Sequence, residues 1–399
     1  MSPPNLANHA ATIEQLPDGT ILLAWFSGIK EEADKCAIAF SRLPAGSAQW
    51  TPPVIVSERD GFSNQNPVLF YDATTRTTWL YHSQLQAGAG EGLDNLWVLQ
   101  SGDGGLSWSK PAVFLDMSGD KKGIFDRNRI IPRADGSLLF PLYWTTKGPP
   151  NAPFMLISDR ANHSSWGKPC VSARKKNVPS RPTTAQNTPL PPTHHPPYPR
   201  RNRVDVKNAD NLVQPTVVRT APGTLTAFFR DRKAKSVFGA SSSDEGLTWT
   251  TPSPKDAGGL PNNNAGIEAF QLASGKTILI FNNSTKDRTP LTAALSKNGG
   301  ASWVASRNLQ VHDDNSTNTN GVEYSCKSPR TRTPRKTRHE THPNNHPDPN
   351  QNRPLGTPNA GWQHPRRVHV RPPNNQVRAL HGELGIIINR IRRSDLPVR

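Results

Sequence analysis

Cysteine, methionine and long apolar runs are scarce in this chain, and each scarcity closes a class of explanation. The three cysteines, Cys36, Cys170 and Cys326, have neither pairing nor metal-ligand spacing, so a disulfide framework and a zinc site are both excluded, and no metal or cofactor is implied. No apolar run approaches the length of a membrane span. No basic segment followed by an apolar run opens the sequence, so as written it has no signal peptide and the cytoplasm is the default compartment. A sustained period of 3.6 residues is missing throughout, which excludes a helical architecture. Acids are also few, 31 against 48 Lys and Arg, for a formal charge of +17. Such a balance suggests nucleic acid until the charge is located. Seven Lys/Arg and no acid lie in Val171–Arg203, and fifteen Lys/Arg against four acids lie in Lys327–Arg399. The remaining chain sums to −1, so the basicity belongs to two segments and a nucleic-acid partner is not expected.

What is abundant is one turn. Ser101-Gly102-Asp103-Gly104-Gly105-Leu106-Ser107-Trp108 recurs as Ser242–Trp249 and as Ser296–Trp303. An Asp or Asn side chain that bonds its own backbone two residues on, with a Gly free to take positive φ, reverses the chain between strands. Three copies in one register make a repeat. A second unit precedes each copy: a Gly-type turn and then a short apolar strand. These strands are read at Thr20–Phe26, Thr78–His82, Ser137–Trp144, Thr224–Arg230 and Lys276–Asn282.

Together the two units give strand, Gly turn, strand, connection, strand, Asp turn, Trp strand, which is a four-stranded blade. With two degenerate turns at Ser41…Trp50 and Ser158…Trp166, the anchoring tryptophans are 50, 108, 166, 249 and 303, spaced by 58, 58, 83 and 54 residues. Blades are expected at 9–57, 64–115, 123–170, 204–254 and 264–312, with a sixth beginning at 321. Such blades close radially into a six-bladed all-β propeller with a central funnel, here with blade six disrupted. The propeller domain therefore covers 1–326.

The long spacing contains residues 171–203, whose Pro-rich runs cannot build a packed strand. Residues 327–399 have the same character. Both read as disordered segments or as translated non-coding sequence. Val171-Ser172 and Cys326-Lys327 can each be encoded by a splice-donor-like string. The codons of Gly361–Val370, read one base later, can also spell Asp-Gly-Ser-Ile-His-Val-Ala-Tyr-Thr-Tyr, a Gly turn and strand of the missing kind.

Ser-x-Asp-x-Gly-x-Ser/Thr-Trp boxes on blades of this length resemble the sialidase (neuraminidase) superfamily, specifically its Asp-box (BNR) repeat proteins. The boxes lie on the blade periphery and speak to fold, whereas chemistry sits in the funnel. Counting back from each Gly turn gives one polar candidate per blade for the funnel: His9, Asn66, Asn128, Gln214, Glu268 and Tyr324. The resemblance implies three arginines around a substrate carboxylate, because guanidinium forks match that geometry. It also implies a Tyr nucleophile helped by a Glu, and an Asp acid/base; Tyr nucleophiles depart from two-carboxylate glycosidase chemistry. Tyr324, in Glu323-Tyr324-Ser325, matches the nucleophile, Arg230 and Arg288 match the second and third arginines, and Asp34 matches the acid/base. Two positions depart from the pattern. His9 stands where the first arginine is expected, and Gln214 stands where the helper Glu is expected, leaving Glu268 or Glu323 to take that role.

The function implied is an exo-glycosidase of the sialidase type that hydrolyses a terminal acidic sugar with retention, with a glycan as partner and no membrane. The alternative is a carbohydrate-binding or interaction propeller that has lost part of the site.

Overall fold

The computed structural model describes residues 7–89, 94–116, 123–146, 151–159 and 202–310. All of these lie in one compact unit, Met1–Lys327. They form five antiparallel sheets. The first is β1 (Ala7–Gln15), β2 (Ile21–Gly28), β3 (Ala37–Leu43) and β4 (Val54–Ser57). The second is β5 (Phe62–Asp72), β6 (Thr77–Gln86), β7 (Asn95–Ser101) and β8 (Ala112–Leu115). The third has a broken inner strand, β9 (Gly123–Phe125) and β10 (Ile131–Pro132), followed by β11 (Leu138–Thr145), β12 (Ala152–Ile157) and β13 (Arg203–Asp205). The fourth is β14 (Leu212–Ala221), β15 (Thr224–Asp231) and β16 (Phe238–Ser242). The fifth is β17 (Glu268–Gln271), β18 (Thr277–Asn282), β19 (Leu291–Ser296) and β20 (Ala305–Gln310). The one helical element among the described residues is the 3-10 turn Lys255–Ala257, and none is long and apolar enough to cross a membrane.

In each sheet, chain order and spatial order coincide, as the meander of a propeller blade requires. The sixth blade, expected from 321, falls outside the described residues, as do most of 171–203 and all of 327–399. One boundary is corrected. The fourth strand of blade three is Arg203–Asp205, paired to β12, where the sequence reading began blade four. The insertion therefore interrupts blade three between its third and fourth strands. A strand of three residues carries too little pattern to be assigned from sequence.

The cores lie between blades. Phe26, Phe40, Leu69 and Leu80 join blades one and two, and Val68, Tyr81, Phe140 and Phe154 join two and three. Leu139, Val217 and Phe229 join three and four, and Phe228, Leu279 and Phe281 join four and five. The strands alternate with period two, so each blade offers one apolar face to each neighbour.

The Asp boxes fasten these joints. Ser101 Oγ accepts the Gly105 amide at 2.7 Å, and Asp103 Oδ1 accepts the amides of Leu106 and Ser107, both at 3.0 Å. The carboxylate thus reaches three and four residues on, further than the two expected. Bonds from Ser107 hold Asp103 well below the usual carboxylate range. The box glycine then lies against the preceding blade. A Cβ on Gly105 would stand 2.6 Å from Phe40, one on Gly246 2.4 Å from Leu139, and one on Gly300 2.3 Å from Phe228. Trp108 packs edge-on to the same Phe40 with ring centroids 5.1 Å apart. Glycine is required at these positions twice over, by φ values of 82°, 87° and 98° and by the close approach.

Candidate active site

The funnel is set by a regular register. In each blade the seventh residue beyond the positive-φ turn residue (Gly19, Arg76, Gly136, Gly223, Gly275) is Phe26, Ser83, Tyr143, Arg230 or Asn282. The first four of these face His9, Gln65, Phe125 and Val213 on the inner strands. In blades one, two and four the inner strand bulges next, at Ala10, Asn66 and Gln214, with φ of 54°, 49° and 51°. Such bulges re-aim side chains at the rims of sheets. Blade three departs from this. Its ladder resumes at Ile131–Leu139, so Asp126 to Ile130 stand outside it. That excursion carries Asp126-Arg127-Asn128-Arg129.

Several blades converge here. Arg230 donates from Nη1 to Gln214 Oε1 at 3.1 Å and from Nε to Asn264 Oδ1 at 2.8 Å. Arg288 donates from Nη2 to the Asn264 carbonyl at 3.3 Å. The loop holding Asn264 is fixed by the buried Asn262, whose Oδ1 accepts the Asp231 amide at 3.2 Å and whose Nδ2 donates to the Ala265 carbonyl at 3.0 Å. Asn128 Nδ2 donates to the carbonyls of Gln214 and Pro215 at 2.9 and 3.1 Å, joining the bulges of blades three and four. Arg129 Nε lies 3.6 Å from Glu268 Oε1. Gly266 leaves space over Arg127: a Cβ there would stand 3.2 Å from Gln214 Oε1 and 3.8 Å from Arg127 Nε.

The electrostatics show where these groups act together. Burial, and then the charges of Arg127, Arg288 and Arg230, push the His9 imidazole down to about 3. His9 is therefore neutral at physiological pH, edge-on to Phe26 at 5.3 Å, with cations from blades three, four and five around it. Burial pulls the Arg127 guanidinium below its ordinary value, opposed by Glu268, Tyr143, Asp126 and Glu31. Burial raises Glu268, opposed by Arg129 and Arg127. Asp126 is fully buried. It accepts the Ser83 hydroxyl at 2.6 Å on Oδ1, while Oδ2 has no hydrogen-bond partner among the described residues. Burial pushes it up to about 8, which keeps this carboxyl protonated at neutral pH. Chemically the funnel is a fixed cluster of cations around a neutral imidazole, suited to an anion.

Of the expected site residues, His9, Asn128, Gln214, Arg230, Glu268 and Arg288 are tied to this cluster. Asn66 is buried at the blade-two bulge, but none of its side-chain hydrogen bonds among the described residues reaches the arginines. Asp34 is exposed at the rim, where its Oδ1 accepts the Gly61 amide at 2.6 Å. Glu323 and Tyr324 lie outside the described residues. Sequence reasoning missed Arg127, Asn264, Gly266, Asp126 and Glu31. The signal for Arg127 was present, since charged and polar residues fill Asp126–Arg129 between apolar neighbours. Counting back from Gly136 hid it, because blade three bulges by more residues than the others. No group of His, Cys, Asp and Glu among the described residues is arranged to hold a metal ion.

Comparison with known proteins gives the fold its relatives. The chain is similar in structure to the Hadza microbial sialidase Hz136, with a TM-score of 0.58 and 17% identity over 77% of this chain and 60% of that one. It thus spans about 60% of that protein's length. It is also similar to the NanB sialidase of Streptococcus pneumoniae (TM-score 0.56, 12% identity, 78% of this chain and 62% of that). The intramolecular trans-sialidase of Ruminococcus gnavus is another (TM-score 0.56, 13% identity, 76% of this chain and 85% of that). No curated protein sequence matches this one. The family model of the BNR repeat-like domain matches residues 19–328. The chain therefore belongs to the BNR repeat-like domain family, with the fold of a sialidase-like β-propeller.

Proposed function

We propose that this protein is an exo-glycosidase of the sialidase type, acting on a terminal sugar that carries a carboxylate. The observation that carries the reading is the convergence of Arg127, Arg230 and Arg288, from three blades, around Gln214, Asn264 and Gly266, beside the half-buried neutral His9. A carboxylate entering the funnel meets guanidinium groups already oriented by Gln214, Asn264 and the backbone, so little ordering remains to be done on binding. Arg127 takes the place left by His9 in the expected set of three. In the reaction, Tyr324 Oη attacks the anomeric carbon while its proton passes to Glu268, whose carboxylate burial makes more basic than an ordinary one. An acid on the loop between β2 and β3 gives its proton to the leaving oxygen. Water then displaces Tyr324 with retention of configuration.

The reading includes a sixth blade beginning near Gly321. Two sheet faces favour it. Ile13 on β1 is 42% exposed, and Phe270, Ile278 and Ile280 alternate with the residues that face blade four and are half-buried. A blade between these faces covers both.

Gln214 favours a second reading. An amide cannot take a proton where the helper Glu is expected, and a carbohydrate-binding propeller needs no such group. Fluorogenic α-glycosides, including sialosides and uronosides, separate the two, with Tyr324→Phe as control. Turnover abolished by that substitution supports the glycosidase. Saturable glycan binding without turnover supports the lectin-like reading, and turnover that survives the substitution removes Tyr324 from the mechanism.

A further inference from the structure

Gln214 stands where a proton-accepting Glu is expected, and its surroundings give the amide a different use. The residue lies in the bulge of β14, between the pairs Val213–Arg230 and Thr216–Phe228, with a left-handed φ of 51°. That conformation costs a residue other than glycine about 1 kcal/mol and persists only where the surroundings hold it. Here the Gln214 and Pro215 carbonyls both accept from Asn128 Nδ2, at 2.9 and 3.1 Å, and the Pro215 ring narrows the choices left to the chain. The side chain is fixed as firmly as the backbone. Its Oε1 accepts from Arg230 Nη1 at 3.1 Å. A guanidinium carries donors only, so the oxygen must face Arg230 and the amide cannot be turned over. Nε2, with its two N–H groups, therefore faces away from Arg230. It has no hydrogen-bond partner among the described residues. Unlike Asn128 Oδ1, it is not sealed from solvent, although the residue as a whole is only 7% exposed. Gly266 keeps the neighbouring space open. A Cβ there would stand 3.2 Å from Gln214 Oε1, and 3.8 and 3.9 Å from Nε and Nη2 of Arg127. The amide of Gln214 and the guanidinium of Arg127 thus border one small space, and donors on its border suit a group that only accepts.

We propose that Gln214 is a specificity-determining residue of the funnel: its Nε2 donates to the carboxylate of the bound sugar, and its neutral amide leaves Arg127 and Arg230 to that same carboxylate. This rests on the reading of the funnel as a carboxylate site, and it applies whether or not the bound sugar is cleaved. A Glu at this position would act in the opposite sense. It would keep the acceptor for Arg230, lose both N–H donors, and set the protein's own anion against the two guanidinium groups. A ligand carboxylate would then meet a like charge in place of a donor. The left-handed bulge, the Asn128 clamp on its carbonyls and the bond to Arg230 are in this account the means of aiming one nitrogen.

The test is calorimetric titration of the full-length chain with 2-deoxy-2,3-didehydro-N-acetylneuraminic acid, comparing the wild type with Gln214→Glu and Gln214→Met. Gln214→Glu preserves the shape of the side chain and the acceptor for Arg230. It should nonetheless lose about 100-fold or more in affinity, through the lost donor and the added like charge. Gln214→Met, uncharged and unbranched, loses the donor alone on the ligand side and should weaken binding about tenfold or more. It also guards against a fold defect in Gln214→Glu. If Gln214 served only to orient Arg230, Gln214→Glu would bind as the wild type does and Gln214→Met would not. That result would overturn the assignment, as would a Gln214→Met chain with wild-type affinity. A Gln214→Glu chain that cleaves a fluorogenic sialoside faster than the wild type would also overturn it, because the position would then be that of a missing base. A wild-type chain that does not bind the acid would overturn the carboxylate reading of the funnel together with it.

Discussion

Replacing Asp126 by Asn should remove one specific slope from the dependence of stability on pH. Asp126 is fully buried beside Arg127, and burial moves its carboxyl from an ordinary 3.8 to about 8. Between those values the folded protein holds a proton that the unfolded chain has released. Stability is therefore highest below the unfolded pKa and falls as pH rises toward 8, by about 1.4 kcal/mol per pH unit. His9 and His82 act with the opposite sign. Burial depresses them to about 3 and about 4, so their contribution is lost as pH falls from 6.5. Above 6.5 both histidines are neutral in the folded state, and what protonation remains in the unfolded state is common to both proteins and cancels in the difference. The window from 6.5 to 8 thus isolates Asp126, and over it the wild type should lose about 2 kcal/mol relative to Asp126→Asn. The amide keeps an oxygen for the Ser83 hydroxyl bond of 2.6 Å and cannot ionise. Glu14 and Glu268, also raised by burial, are common to both proteins and cancel in the difference. Urea unfolding followed by the emission of the ten tryptophans, at four pH values in that window, measures the effect. Wild type and Asp126→Asn curves parallel to within about 0.5 kcal/mol, the scale of extrapolation error, would refute the burial argument.

Other expectations concern the joints and the funnel. Ser101→Ala leaves the buried Gly105 amide without its 2.7 Å acceptor and should cost about 1–3 kcal/mol, read as a lower urea midpoint at unchanged m. Glu245 joins blade four to blade three, accepting from Arg219 and, at 3.1 Å, from the Ala134 amide. A double-mutant cycle of Arg219→Met and Glu245→Gln should give a coupling of about 0.5–1.5 kcal/mol. Arg219 holds the Glu245 carboxyl below its usual range, so this coupling should fade as pH falls through the folded value and persist at neutral pH. Gly266→Ala places a methyl group 3.2 Å from Gln214 Oε1 and over Arg127. It should weaken the binding of a carboxylated sugar about tenfold or more, near 1.4 kcal/mol, with little change in the melting temperature.

The fold was legible because the Asp box is a local device repeated in register. Ser101, Asp103 and Gly105 satisfy one another within five residues, so spacing alone reveals them. What spacing could not show is that Gly105, Gly246 and Gly300 also press on the preceding blade, since those contacts join residues far apart in sequence. The end of blade three was misread because β13 is three residues long and follows an insertion. In the funnel, Arg230 and Arg288 were singled out through a motif likeness. Arg127 was not, because a counting rule assumes equal bulges and the Asp126–Ile130 excursion breaks that rule. Glu31 and Asp34 are three residues apart in one charged run. That Asp34 is exposed and engaged by the Gly61 amide while Glu31 is half-buried has no sequence signature.

The central claim, that three arginines from separate blades form a carboxylate clamp, is tested most directly by calorimetric titration of the full-length chain. The ligands are the unsaturated sialic acid 2-deoxy-2,3-didehydro-N-acetylneuraminic acid and its methyl ester. Binding of the acid, absence of binding by the ester, and loss of about tenfold or more in affinity on Arg127→Gln are the predicted results. Equal binding of acid and ester, or an Arg127→Gln chain that binds the acid as the wild type does, would contradict it.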